Sequence, residues 1–200
     1  MFYGRKQKII FATKNPGKLK EVSHIFGEKD FELFSLNDFN NVEEVVEDGS
    51  SFEENAIKKA KFVFEKFKMP VIADDSGLVV EQLNGAPGIY SARYAGENTT
   101  DEENNLKLIN IIKKFPQPHK AKFVCAAAYY DGTKLLTAHG EIKGQIIHQP
   151  RGKNGFGYDP LFVPDGYTQT TAELSLDEKN KISHRSKAFK SLLKMIKGGN

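Results

Sequence analysis

The stretch that decides the fold is "KIIFATKNPGKLKEVSHIF", residues 8–26. Residues 8–12 are rich in Ile and Phe and predict a short strand. Thr13-Lys14-Asn15-Pro16-Gly17-Lys18 is a polar turn, after which Leu19, Val22, Ile25 and Phe26 recur at helical spacing. Strand, polar loop and helix in that order make the first unit of an α/β fold. The loop sits at the strand's C-terminal end, where open α/β sheets bind their ligands.

Outward from this unit, Phe31–Ser35 predicts a second strand and residues 42–46 a weaker one. Ser51 and Glu54 have capping-box spacing. Ala56, Ala60, Val63, Phe64 and Phe67 give the helix that follows an apolar face, with Asn55 and Lys59 together on its flank. Residues 71–73 read as a strand that breaks at Asp74-Asp75-Ser76-Gly77 and resumes over 78–81. Residues 84–99 form a glycine-rich loop, and Thr100 with Glu103 opens a helix packed by Leu106, Leu108, Ile109 and Ile112. Asp131-Gly132 between the apolar runs 121–130 and 134–147 favours a type I′ hairpin turn. A second glycine-rich loop spans 149–160, and Phe189, Leu192, Leu193 and Ile196 mark a C-terminal helix. Strand–helix units combined with a long hairpin predict a mixed central sheet flanked by helices.

Bulk properties narrow the class. A chain of 200 residues, 39% hydrophobic and 28% charged, without repeats or linkers, is expected to fold as one domain over residues 1–200. A net charge of +3 is too small to point to nucleic acid. The single cysteine, Cys125, lies in an apolar run and reads as a core residue. No apolar run reaches the roughly 18 residues of a membrane span, and "MFYGRKQKIIFATKN" lacks a signal-peptide core, so a cytoplasmic protein is expected.

Four polar clusters could carry chemistry. Thr13, Asn15 and Lys18 open a helix, where free N–H groups and the helix dipole favour an anion; the same residues fit a plain helix cap. Glu47-Asp48-Gly49 with Asn55 and Lys59 fits either a site or an acidic surface turn. Asp74-Asp75-Ser76-Gly77 offers hard oxygen ligands of the kind Mg²⁺ takes, or a β-turn. Strand alternation would separate the two aspartates, one to the ligand and one behind it. Phe156-Gly157-Tyr158-Asp159 and Ser183-His184-Arg185 could stack on a base and read its edge. Together these residues describe a nucleotide phosphate site with a divalent metal.

Several stretches, in order, resemble a known family: "FATKNPGK" (11–18), "FEENAIKKA" (52–60), "ADDSGL" (73–78), "GAPGIYSARYAG" (85–96), "NGFGYDPLF" (154–162) and "TAELSLDEKNKISHR" (171–185), with the helix after them. The resemblance is to the inosine triphosphate pyrophosphatase, or Ham1, family, and covers about residues 11–196. It implies a long mixed sheet with two α/β lobes and a site in the cleft between them. It implies Mg²⁺-dependent hydrolysis of ITP, dITP and XTP to the monophosphate and pyrophosphate by a homodimer, cleansing the nucleotide pool. By motif, Thr13, Lys14, Asn15, Pro16, Gly17 and Lys18 would hold the triphosphate, with Lys59 reaching it and Ser76 touching the substrate. Glu47 and Asp75 would bind the metal, with Glu43 and Glu44 as neighbouring candidates, and Asp75 would be the general base. Phe156, Gly157, Tyr158 and Asp159 would pack against the base, and Lys179, His184 and Arg185 would close over its 6-oxo group. The alternatives are a Maf-like pyrophosphatase for modified pyrimidine nucleotides, disfavoured by "GAPGIYSARYAG" and "SHR", and a non-catalytic nucleotide sensor.

Overall fold

The computed structural model describes residues 6–27, 30–40, 42–43 and 45–198. Six strands form one mixed sheet in the order β2-β1-β3-β4-β5-β6. They are β1 (Gln7–Phe11), β2 (Phe31–Ser35), β3 (Val71–Val80), β4 (His119–Tyr130), β5 (Leu135–Ile146) and β6 (Phe162–Pro164). β1 pairs in parallel with β2 and β3, and β5 pairs antiparallel with β6. The helices are α1 (Pro16–Phe26), α2 (Phe52–Phe67), α3 (Asp101–Ile112), α4 (Leu176–Ile182) and α5 (His184–Ile196).

The chain divides into two compact units. The first holds Met1–Asp75, Cys125–His139 and Arg185–Asn200; the second holds Ser76–Val124 and Gly140–His184. In the first unit the strands are covered on both faces. Ile9, Phe11, Ile72, Cys125 and Ala127 pack with Val22 and Phe26 of α1 and Phe189 and Leu192 of α5. Ile10, Val71, Ala73, Ala126 and Ala128 pack with Ala56, Ala60 and Val63 of α2. Double cover explains why these strands are apolar at consecutive positions, and it places Cys125 in the core. In the second unit Leu78 and Val80 pack with Leu108, Ile109 and Ile112 of α3 and with Phe123, Ile142, Ile146 and Phe162.

Several expectations change. β3 does not break at Asp74-Asp75-Ser76-Gly77: it is one ten-residue strand. Both carboxylates find cationic or amide partners, so the ladder need not turn to expose them. The described residues of 42–46 form no strand, and Glu44 lies outside the described residues. Ser51 caps α2, accepting from Glu54 N at 3.1 Å, but the Glu54 carboxylate goes to Ser50 N and Oγ, so the box is not reciprocal. Thr100 and Glu103 do form the full box. Leu106 points outward, leaving Leu108, Ile109 and Ile112 to bury α3. The β4–β5 connection is not a type I′ turn, because only Gly132 has positive φ; the Asp131 carboxylate instead accepts from the Thr133 and Lys134 amides.

Candidate active site

β1 ends at Phe11, which pairs with Ile72, so Asp74 and Asp75 lie just beyond its C-terminal end. Strand alternation sends the two in opposite directions. Ile72 faces α1 and α5, and Asp74 shares its parity. Asp74 accordingly meets Lys18 of α1 at 3.1 Å and Arg185 Nε of α5 at 3.2 Å. Val71 and Ala73 face α2, and Asp75 shares theirs. Asn55 Nδ2 donates to Asp75 Oδ2 at 2.9 Å, and Lys59 Nζ lies 3.9 Å from Oδ1.

Glu47 is brought to the same place by α2. Lys59 Nζ donates to Glu47 Oε1 at 2.8 Å, Lys58 pairs with Asp48, Asn55 Oδ1 accepts from Gly49 N at 2.8 Å, and Glu54 Oε2 accepts from Ser50 N at 2.7 Å. Glu54, Asn55, Lys58 and Lys59 occupy one helix face at i, i+1, i+4 and i+5. The segment 47–50 is laid antiparallel along that face, residue by residue. Glu47 therefore stands beside Lys59.

Burial holds the Asp75 carboxyl above the ordinary Asp value, and the nearby Glu47 charge adds to the rise, while Lys59, Asn55 and Lys18 oppose it. Burial alone would lower the Lys59 ammonium, but Glu47, Asp75 and Asp74 hold it above the ordinary Lys value. Among the described residues no group of three or more His, Cys, Asp or Glu gathers as a metal cage. Two carboxylates are nonetheless the donor set that fits Mg²⁺, which keeps waters and phosphate oxygens in its remaining positions. The charge that Glu47 and Asp75 impose on one another is what such a cation relieves.

The 13–18 loop departs from the expected anion cradle. Asn15 caps α1, its Oδ1 accepting from Gly17 N at 2.8 Å and Lys18 N at 3.1 Å, and Pro16 has no N–H. Thr13 Oγ1 accepts from Asn15 N, and Lys14 O accepts from Asn37 Nδ2. The amides at 15, 17 and 18 are thus engaged, leaving the dipole and the lysine ammoniums as the attractive elements.

Arg185 is held by α5 beside Asp74. Its guanidinium is buried, donating to Glu21 at 2.6 Å and to Asp74, and these carboxylates hold its pKa above the ordinary Arg value against the cost of burial. It is the counter-ion of two acids. Glu21 was not singled out from sequence; the available signal was an acid next to Val22 on the apolar face of α1.

In the second unit, Phe156 and Gly157 are half-buried. The Lys179 ammonium lies 5.1 Å from the Phe156 ring centroid and pairs with Asp159. Asp159 Oδ1 accepts from Thr171 Oγ1 at 2.8 Å and Oδ2 from Phe156 N at 2.9 Å. Asp159 is therefore the internal brace of this loop. Tyr158 is likewise a core residue: its ring is buried and its hydroxyl donates to Ser91 O at 2.9 Å. His184 is buried with its ring stacked on Phe123, centroids 4.9 Å apart and planes at 12°. Ser76 is half-buried within β3. His139 pairs with Glu53, and His148 Nε2 meets His119 Nε2 at 2.7 Å.

The Ham1 family model matches residues 9–195. The chain belongs to the Ham1 family. It is 47% identical over 190 residues to a dITP/XTP pyrophosphatase of Thermoanaerobacter pseudethanolicus, covering 94% of this chain and 96% of that one. It is 48% identical over 189 residues to the dITP/XTP pyrophosphatase of Geobacter sulfurreducens, covering 94% of each. Among solved structures, the Ham1 protein of Coxiella burnetii matches with a TM-score of 0.86 at 38% identity, covering 96% of this chain and all (100%) of that one. The Staphylococcus aureus Ham1 protein matches with a TM-score of 0.84 at 40% identity, covering 96% and 99%. No described helix of this Ham1-family chain is long and apolar enough to cross a membrane.

Proposed function

We propose that this chain hydrolyses deaminated purine nucleoside triphosphates (ITP, dITP and XTP) to the monophosphate and pyrophosphate. The observation that carries the reading is the convergence of Glu47, Lys59, Asn55 and Asp75 from three separate segments. Relatives nearly half identical over almost the whole chain are named dITP/XTP pyrophosphatases, which supports the substrate class.

Asp75 is the general base. Its Oδ2 is held by Asn55, so Oδ1 takes the proton of a water attacking the α-phosphorus as the bond to the pyrophosphate oxygen breaks. Lys59 and Lys18 offset the phosphate charge. Lys18 exchanges Asp74 for phosphate, and Arg185 stays on Asp74, so the buried carboxylate is not left bare. Mg²⁺ held by Glu47 and Asp75 would polarise phosphate oxygens and offset the charge of the departing pyrophosphate.

The base goes to Phe156 and Gly157, with Lys179 and His184 beside it. A donor placed for a 6-oxo group is left facing another donor when the purine carries a 6-amino group, which disfavours ATP. The reading takes the enzyme as cytoplasmic and as a homodimer; sedimentation equilibrium tests the dimer. Its central test is pyrophosphate release from ITP, XTP, GTP, ATP and a modified pyrimidine triphosphate, with and without Mg²⁺. Turnover confined to ITP and XTP, and dependent on Mg²⁺, is expected. ATP cleaved as fast as ITP overturns the base reading. Preference for the pyrimidine favours the Maf-like alternative.

A further inference from the structure

The loop that would carry the base is glycine-rich, and a left-handed glycine is free to take many backbone conformations. Gly157 has φ +61, yet both of its backbone polar groups are held by side chains of α3. Asp101 Oδ2 accepts from Gly157 N at 2.6 Å, and Asn105 Nδ2 donates to Gly157 O at 3.0 Å. Positions i and i+4 lie on one helix face, one turn apart. The two side chains therefore grip the glycine from one helix face, and a flip of either peptide group would break a bond.

α3 is fitted for this. Its first turn is fixed by the Thr100–Glu103 capping box, and Leu108, Ile109 and Ile112 bury its far end. Asn104, next to the clamp, accepts from Ala95 N at 2.7 Å and donates to Ala92 O at 3.1 Å. The neighbouring loop residues are pinned as well, Phe156 N on Asp159 and the Tyr158 hydroxyl on Ser91 O. What remains open is the outward side of Gly157, where a Cβ would have nothing within 4 Å. That side-chain-free surface adjoins the Phe156 residue.

Asn105 shows that the grip is more than packing. Its Oδ1 is buried with no hydrogen-bond partner among the described residues. A buried acceptor without a partner is unfavourable, and an apolar residue of similar size would avoid it. The bond that the other end of the amide makes is the one to Gly157 O.

We propose that Asp101 and Asn105 are positioning residues that lock Gly157, and with it the orientation of Phe156, into a flat platform for a purine base. They act through Gly157 and set base discrimination rather than the chemical step. This rests on the substrate reading above.

The test is steady-state kinetics on Asp101→Ala, Asp101→Asn and Asn105→Ala with ITP and ATP, alongside thermal melts and inhibition by inorganic tripolyphosphate, which has no base. Asp101 is exposed, so its variants fold. The expected result for Asp101→Ala and Asn105→Ala is a KM for ITP raised about tenfold with kcat within about twofold of the parent, the pattern of lost ground-state positioning. Discrimination against ATP falls, and tripolyphosphate inhibition is unchanged. Asp101→Asn keeps an acceptor for Gly157 N–H and restores the parent KM. Unchanged KM and discrimination in both alanine variants overturns the inference, as does a loss of kcat with unchanged KM that tracks a lowered melting temperature. A parent protein inert towards ITP and XTP instead overturns the substrate reading itself.

Discussion

Asn55 Nδ2 donates to Asp75 Oδ2 at 2.9 Å, one buried side chain orienting another. The bond favours the ionised carboxylate, while burial, the larger influence, raises its pKa. In the metal-free protein Asn55→Leu removes the opposing donor, so the Asp75 carboxyl titrates at higher pH than in the parent, read from its carboxyl NMR signal. An unmoved titration shows that the Asn55 bond does not set the charge of Asp75.

Asp75→Asn removes proton acceptance while keeping shape. Expected is a fall in kcat of about 10²–10⁴-fold with nucleotide binding largely retained. Single-turnover hydrolysis and calorimetric binding of ITP measure the two separately, and near-parental turnover contradicts the assignment.

Arg185 is buried with Glu21 and Asp74, so Arg185→Met leaves two buried acids short of a counter-charge. A loss of about 3–5 kcal/mol is expected. Adding Glu21→Gln restores part of it. Urea unfolding midpoints decide, and a single variant within about 1 kcal/mol of the parent means the pair is not strongly coupled.

Two loop glycines should behave differently. A Cβ at Gly155 would lie 2.0 Å from Asp159 Oδ2, against the carboxylate that braces the loop, whereas Gly157 has open space. Both have positive φ. Gly157→Ala should cost only the left-handed strain of about 1–2 kcal/mol, and Gly155→Ala clearly more. Melting temperatures of the pair give the comparison.

Burial, and then His148, lower the His119 pKa. The folded state therefore binds the proton less readily than the unfolded chain, and stability declines as pH falls below the ordinary value of 6.5. His119→Asn should flatten the decline in urea midpoint between about pH 7 and pH 5. A slope equal to that of the parent places the effect elsewhere.

Local chemistry was readable along the chain wherever one element's own residues decide the outcome. The β1–α1 unit, the Ser51 and Thr100 caps, the face shared by Asn55 and Lys59, and the burial of Cys125 all follow from periodicity and capping. The alternation of a strand also foretold that Asp74 and Asp75 would part. Tertiary structure alone decided what each would meet. Two adjacent carboxylates in an apolar run look like a turn when their partners, Lys18 and Arg185 on one face and Asn55 and Lys59 on the other, are as many as 111 residues away. The same holds for Tyr158 and Asp159, whose partners Ser91, Thr171 and Lys179 lie on other elements. A side chain's type states what bonds it can make, and the neighbours that long-range packing brings decide which of them it makes.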